Sequence, residues 1–62
     1  MVSKKYIIQD LVSLGYWNSI YQSFRGIIYA SSYDNIEEAE EIILHIPNHD
    51  RYVLTITTIY YA

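Results

Sequence analysis

Asp34-Asn35-Ile36-Glu37-Glu38-Ala39-Glu40-Glu41-Ile42-Ile43-Leu44-His45-Ile46-Pro47 is a short helical passage in a 62-residue chain otherwise rich in Tyr, Ile, Val and Thr. Asp34 is placed to accept a hydrogen bond from the free N–H of Glu37, and Glu37 to reach back as in a capping box. Four glutamates in the opening turns complement the positive end of the helix dipole, and Pro47 closes the element. Ile36, Ala39, Ile42, Ile43 and Ile46 recur at steps of three and four, which predicts a helix over 35–46 with one apolar stripe. Glu37, Glu38, Glu40, Glu41 and His45 fall on the other side and face water. Such a stripe needs a sheet to cover.

The remaining segments supply that sheet. Residues 4–11 read as a strand around Tyr6, Ile7 and Ile8, ending in Val12-Ser13-Leu14-Gly15, where the glycine serves a turn. A second strand is expected over Tyr16–Tyr21 and a third over Phe24–Ser31, with Gly26 marking a bulge or a close approach. Leu11, Leu14, Trp17, Tyr21 and Phe24 also recur at roughly helical steps, but Gly15 in the middle of such a helix costs about 1 kcal/mol relative to alanine. The strand reading is therefore preferred. Pro47-Asn48-His49-Asp50 is a turn, and Arg51–Tyr60 is the clearest strand of all.

That last strand carries Tyr52, Leu54, Ile56, Thr58 and Tyr60 on one side and Val53, Thr55, Thr57, Ile59 and Tyr61 on the other. No charged residue occurs from Tyr52 to Ala62, whereas a strand with one solvated face alternates apolar with plainly polar residues. One helix covers one side of a small sheet. The second face, or the edge of the last strand, is expected to be covered by another copy or a partner. The predicted fold class is thus α+β: a single domain over 1–62, a small antiparallel sheet of three or four strands and one helix on one face, in the order β-β-(β)-α-β.

Size points the same way. A chain this short buries only about 60% of the surface its unfolded form exposes, so its core is thin. Disulfides are excluded because the chain has no cysteine, and two histidines without a thiolate are too few strong ligands for a closed zinc site. Oligomerisation, as a symmetric homodimer through the last strand or the uncovered face, is the remaining remedy.

Composition narrows the function classes. The net charge is −3, and Lys4, Lys5, Arg25 and Arg51 are scattered, so a nucleic-acid surface is not expected. The apolar run after Lys4-Lys5 is too short for a signal or membrane segment, and a cytoplasmic location follows as the expectation. His45 and His49 have a metal-like spacing, but Pro47 interrupts the helix between them, and a solvated helix end is the plainer reading. The glutamates have no nucleophile, phosphate loop or base beside them in sequence, so no catalytic residue, metal or cofactor is assigned. Eight tyrosines, one tryptophan and one phenylalanine are the strongest compositional anomaly. Tyr6, Trp17, Phe24 and Tyr52 are expected in the core, while Tyr16, Tyr21, Tyr60 and Tyr61 suit an interface.

Lys5-Tyr6-Ile7-Ile8, Gly15-Tyr16-Trp17, Phe24-Arg25-Gly26-Ile27-Ile28-Tyr29-Ala30 and Asp34-Asn35-Ile36-Glu37-Glu38-Ala39, followed by a Thr-rich strand, together resemble small bacteriophage ββ(β)αβ proteins. That group includes host-takeover factors and inhibitors of bacterial immunity, among them anti-CRISPR proteins and the homodimeric Hachiman anti-defence protein. The resemblance implies a stoichiometric inhibitor of a host defence protein, working in the bacterial cytoplasm, and carries over no functional residue. Candidate contact residues are Glu38 and Glu41 on the acidic helix face, Tyr16 and Tyr21, and Val53, Thr55, Thr57, Ile59, Tyr60 and Tyr61 on the last strand. The alternatives are an assembly subunit, or a sponge for a small anionic ligand held by Tyr, Arg25 and Arg51 at a dimer junction.

Overall fold

The computed structural model describes residues 3–61. In chain order these form β1 (Ser3–Asp10), β2 (Tyr16–Asn18), β3 (Ser23–Arg25), a 3-10 turn (Ile27–Tyr29), α1 (Ile36–His45), a second 3-10 turn (His49–Arg51) and β4 (Leu54–Tyr61). The four strands make one antiparallel sheet in the order β3-β2-β1-β4, so the first and last long strands are neighbours. Ser3 to Asp10 pair without interruption with Tyr61 to Leu54. This ladder is the spine of the fold.

β1 ends where Asp10 begins to serve a turn. Its carboxylate accepts hydrogen bonds from the Val12 N–H (3.1 Å), the Ser13 N–H (3.4 Å) and the Ser13 hydroxyl (2.8 Å), a local arrangement that competes with further strand. Burial opposes ionisation of Asp10, but these bonds and the nearby Val53 N–H outweigh it and hold the carboxyl below its ordinary pKa. The left-handed residue of this turn is Leu14 (φ 64°) rather than Gly15. Gly15 is there for space, since a Cβ on it would lie 3.0 Å from the Phe24 Cβ.

β2 and β3 are shorter than expected. Asn18 stops β2 by accepting from the N–H groups of Ile20 (2.9 Å) and Tyr21 (2.8 Å), so the Ser19–Tyr21 part of the expected strand is a turn. β3 in turn ends at Arg25, opposite Tyr16, because the chain before Tyr16 offers no further ladder to pair with. Gly26 is neither a bulge nor a close approach: it is extended (φ −62°, ψ 161°), and nothing lies within 4 Å of where its Cβ would be. Ile27, Ile28 and Tyr29 have strand-forming side chains but make a 3-10 turn. The chain then returns to β2 and β1, where the Ser31 N–H donates to the Trp17 carbonyl (2.9 Å) and Tyr33 pairs with Tyr6.

α1 is one residue shorter at each end than the expected 35–46, and its cap is Asn35, one residue later than the sequence suggests. Asn35 accepts from the Glu38 N–H at 2.8 Å, while Asp34 lies outside the helix and pairs with Lys5 (2.9 Å). The reason is local. Both residues are good caps, and only one lies a full turn before Glu38 and Ala39 once Asp34 is drawn to Lys5. Ile46 takes the extended conformation (φ −70°, ψ 125°) favoured before a proline, which ends the helix at His45.

The core lies between α1 and the front face of the sheet. Tyr6, Ile8, Trp17, Tyr33, Ala39 and Ile46 form its buried cluster, with Phe24, Ile42, Ile43, Leu54 and Ile56 packed against it. Of the expected stripe, Ile36 remains exposed. Tyr6 and Trp17 are core residues as expected and Phe24 is half-buried, its ring tilted against those of Trp17 (5.3 Å) and Tyr52 (4.9 Å), whereas Tyr52 is exposed because it leads into β4 from the preceding turn. Among the described residues no helix lies on the back face, yet Ile7 at its centre is only 1% exposed.

Candidate functional site: an open sheet edge

The phase of the β1–β4 ladder can be read from hydrogen bonds on the other side of β1. Tyr6 donates to Tyr33 (2.9 Å) and accepts from it (2.8 Å), and Asp10 donates to the Gly15 carbonyl (2.9 Å), so the even residues of β1 turn their backbone away from β4. Leu11 turns toward β4 and donates to the Val53 carbonyl (2.9 Å). With the register Lys5–Ile59, Ile7–Thr57 and Gln9–Thr55, the odd residues of β4 are the ones that bond to β1. The even residues, Leu54, Ile56, Thr58 and Tyr60, therefore direct their N–H and C=O groups out of the sheet. Among the described residues, none of these outward groups has a hydrogen-bond partner.

The two edges of the sheet are unlike. β3 is three residues long and includes Arg25, whose guanidinium lies 4.2 Å from the Tyr21 ring centroid. A short edge with a charge resists addition of another strand. β4 is eight residues long, carries no charge or proline, and has no glycine at which to bulge. It lacks the usual protections of an edge strand.

The candidate contact residues separate by place. Val53, Thr55, Thr57, Ile59 and Tyr61 share the back face, where the middle three are half-buried and the outer two exposed. Tyr60 is on the front face and is 69% exposed. Tyr16 is half-buried opposite Gln9, in the interior of the sheet, and Tyr21 is exposed in the turn before β3. Glu38 and Glu41 are exposed on α1. The structure thus gathers the β4 residues into one strand and leaves the tyrosines of β2 and its turn, and the glutamates, in separate places. The sequence reading did not single out Leu54, Ile56 and Thr58, because which residues face outward depends on strand order.

Other features are modest. A cleft between the end of α1 and the β2–β3 turn has two adjoining hollows of about 180 and 260 Å³, sharing Trp17, Gln22, Ile46 and Pro47 as walls. Each is smaller than the roughly 300 Å³ at which small-molecule pockets usually begin. Gln22 and Asn48, on opposite sides of it, both have left-handed backbones. Tyr33 is buried and its hydroxyl makes no hydrogen bond among the described residues; burial pushes its pKa up. Among the described residues, no three His, Cys, Asp or Glu side chains are grouped so as to hold a metal, and no helix is long and apolar enough to cross a membrane. Arg25 is on the sheet edge opposite β4, away from any junction formed there.

Comparison with known proteins gives no likeness to argue from: no family model, no curated protein and no solved structure matches the chain.

Proposed function

We propose that this chain is a small acidic protein-binding module that acts as a homodimer and blocks a host protein by occupying its surface. The supporting observation is the β4 edge, a long uncharged strand whose outward backbone groups have no partner among the described residues, in a protein whose opposite edge is short and charged. A second copy on that edge would leave the exposed α1 glutamates and Tyr21 free for a further partner. Their chemistry suits a basic surface with room for an aromatic anchor. The sequence resemblance to small phage proteins directs the search to bacterial host proteins, in the cytoplasm.

The test uses the tagged chain as bait in a bacterial host lysate, beside a Glu38→Lys/Glu41→Lys form. Recovery of one host protein by the native chain alone, with binding that weakens as salt rises, is the expected result. Equal recovery by both forms removes the acidic face from the account, and recovery of nothing but the chain itself favours an assembly subunit.

A further inference from the structure

The β4 edge constrains how a second copy would pair with it. We propose that two copies join antiparallel along β4 about a two-fold axis passing through Thr57, forming one continuous sheet; this rests on the homodimer reading above. A two-fold axis perpendicular to a sheet pairs residues that share a face, so even residues meet even and odd meet odd. It must also set outward backbone groups against outward groups, which in β4 belong to Leu54, Ile56, Thr58 and Tyr60. Centres at Ile56, Thr57 and Thr58 satisfy both demands.

Among the described residues, the Thr57 axis is the one that pairs all four outward residues of β4 with each other: an axis at Ile56 sets Tyr60 against Tyr52, which precedes β4 and donates its N–H to the His49 carbonyl, and an axis at Thr58 sets no described β4 residue against Leu54. An axis at Thr57 pairs Leu54 with Tyr60 of the second copy and Ile56 with its Thr58, each pair exchanging both hydrogen bonds. Thr57 then faces its own counterpart on the back of the sheet, a pairing in which two threonines can hydrogen-bond.

Side-chain exposure selects the same register. Val53, just before β4, and Tyr60 and Tyr61, at its far end, are 54%, 69% and 45% exposed, whereas Leu54 to Ile59 between them are half-buried. The Thr57 axis places Val53 beside Tyr61 of the second copy and Leu54 beside its Tyr60. Apolar surface left open at the two ends of one β4 is thereby covered by the two ends of the other. No like charges meet along this junction, because residues 52–62 carry none.

A single-cysteine scan tests the register, since the chain has no cysteine of its own. Opposed residues in a pair without mutual hydrogen bonds have Cα atoms about 4.5 Å apart, inside the roughly 4.4–6.8 Å that a disulfide spans. Thr57→Cys should form a covalent dimer under mild oxidation, whereas Thr55→Cys and Thr58→Cys should not. Cross-linking of Thr58→Cys in preference to Thr57→Cys overturns the Thr57 axis while leaving a dimer. Amide exchange of the unaltered chain gives an independent readout. Protection at Leu54, Ile56, Thr58 and Tyr60 should rise with protein concentration while that at Thr55, Thr57 and Ile59 stays constant. Outward amides that exchange equally fast at every concentration overturn the interface, and a chain that also sediments as a monomer removes the homodimer reading with it.

Discussion

Tyr6 and Tyr33 exchange a reciprocal pair of backbone hydrogen bonds, at 2.9 and 2.8 Å, and this local contact sets the direction of every backbone group on the far side of β1. Because Tyr6 faces Tyr33, Ile7 faces Thr57, and because Thr57 faces β1, Thr58 faces outward. A bridge formed by a loop residue therefore decides which groups of β4 are available to another molecule. Among the sequence features, only the absence of charge in β4 hinted at this.

The cap of α1 is Asn35, and its removal should be felt. Asn35→Ala is expected to lower stability by about 1 kcal/mol, within the usual range for cap loss. Asp34→Ala removes an exposed pair with Lys5 and should change stability far less. Urea unfolding of the two variants compares them directly; an equal loss in both would place the cap at Asp34 after all.

Leu14 holds a left-handed backbone without the freedom of glycine, and its side chain is 63% exposed. An L-residue there costs about 1–2 kcal/mol, while glycine adds unfolded-state entropy that returns part of the gain. Leu14→Gly is therefore expected to stabilise the protein by roughly 0.5–1 kcal/mol, read as a higher urea midpoint at unchanged slope. A lower midpoint would show that the exposed leucine packs on something the turn needs.

Asp10 links the β1 turn to pH. Hydrogen bonds outweigh burial and hold its folded pKa below the ordinary carboxylate range, so between the folded and unfolded values the unfolded chain binds more protons. Its contribution is present above the unfolded pKa and fades as pH falls through the folded one. Unfolding free energy measured from pH 5 downward should thus fall less steeply below about pH 4 for Asp10→Asn than for the native chain. Identical acid limbs would mean that the turn does not depend on the carboxylate charge.

Much of the scaffold was legible because its signals are local. The Ile36–Ile46 spacing and Pro47 mark α1 to within a residue at either end, and the runs around Tyr6–Ile8 and Leu54–Tyr61 mark the two long strands. The third expected strand stops at Arg25 because Ile27, Ile28 and Tyr29 are strand formers without a partner to pair with, and a ladder ends where its neighbour ends. Tyr33 escaped notice for a related reason: it sits among Ser31, Ser32 and Asp34 and is buried only because the loop returns to Tyr6. The outward residues of β4 were invisible, since alternation along a strand shows two faces but not which backbone groups meet a neighbour.

Proline scanning separates the inner from the outer backbone of β4. Thr58→Pro deletes an N–H that points out of the sheet, at a position where edge strands tolerate proline, so the protomer should stay folded and cease to self-associate. Thr57→Pro deletes an N–H bonded to β1 beside buried Ile7, and should lower stability by about 1–3 kcal/mol. If the Thr58 variant unfolds and the Thr57 variant does not, the assigned phase of the strand is reversed.

Sedimentation equilibrium of the native chain and Thr58→Pro, across a wide concentration range at neutral pH, asks the decisive question. The native chain should move from its 7.3 kDa protomer toward twice that mass as concentration rises, while folded Thr58→Pro should remain at 7.3 kDa. A native chain that stays at 7.3 kDa throughout, or a Thr58→Pro form that dimerises equally well, would contradict a junction along the outer edge of β4.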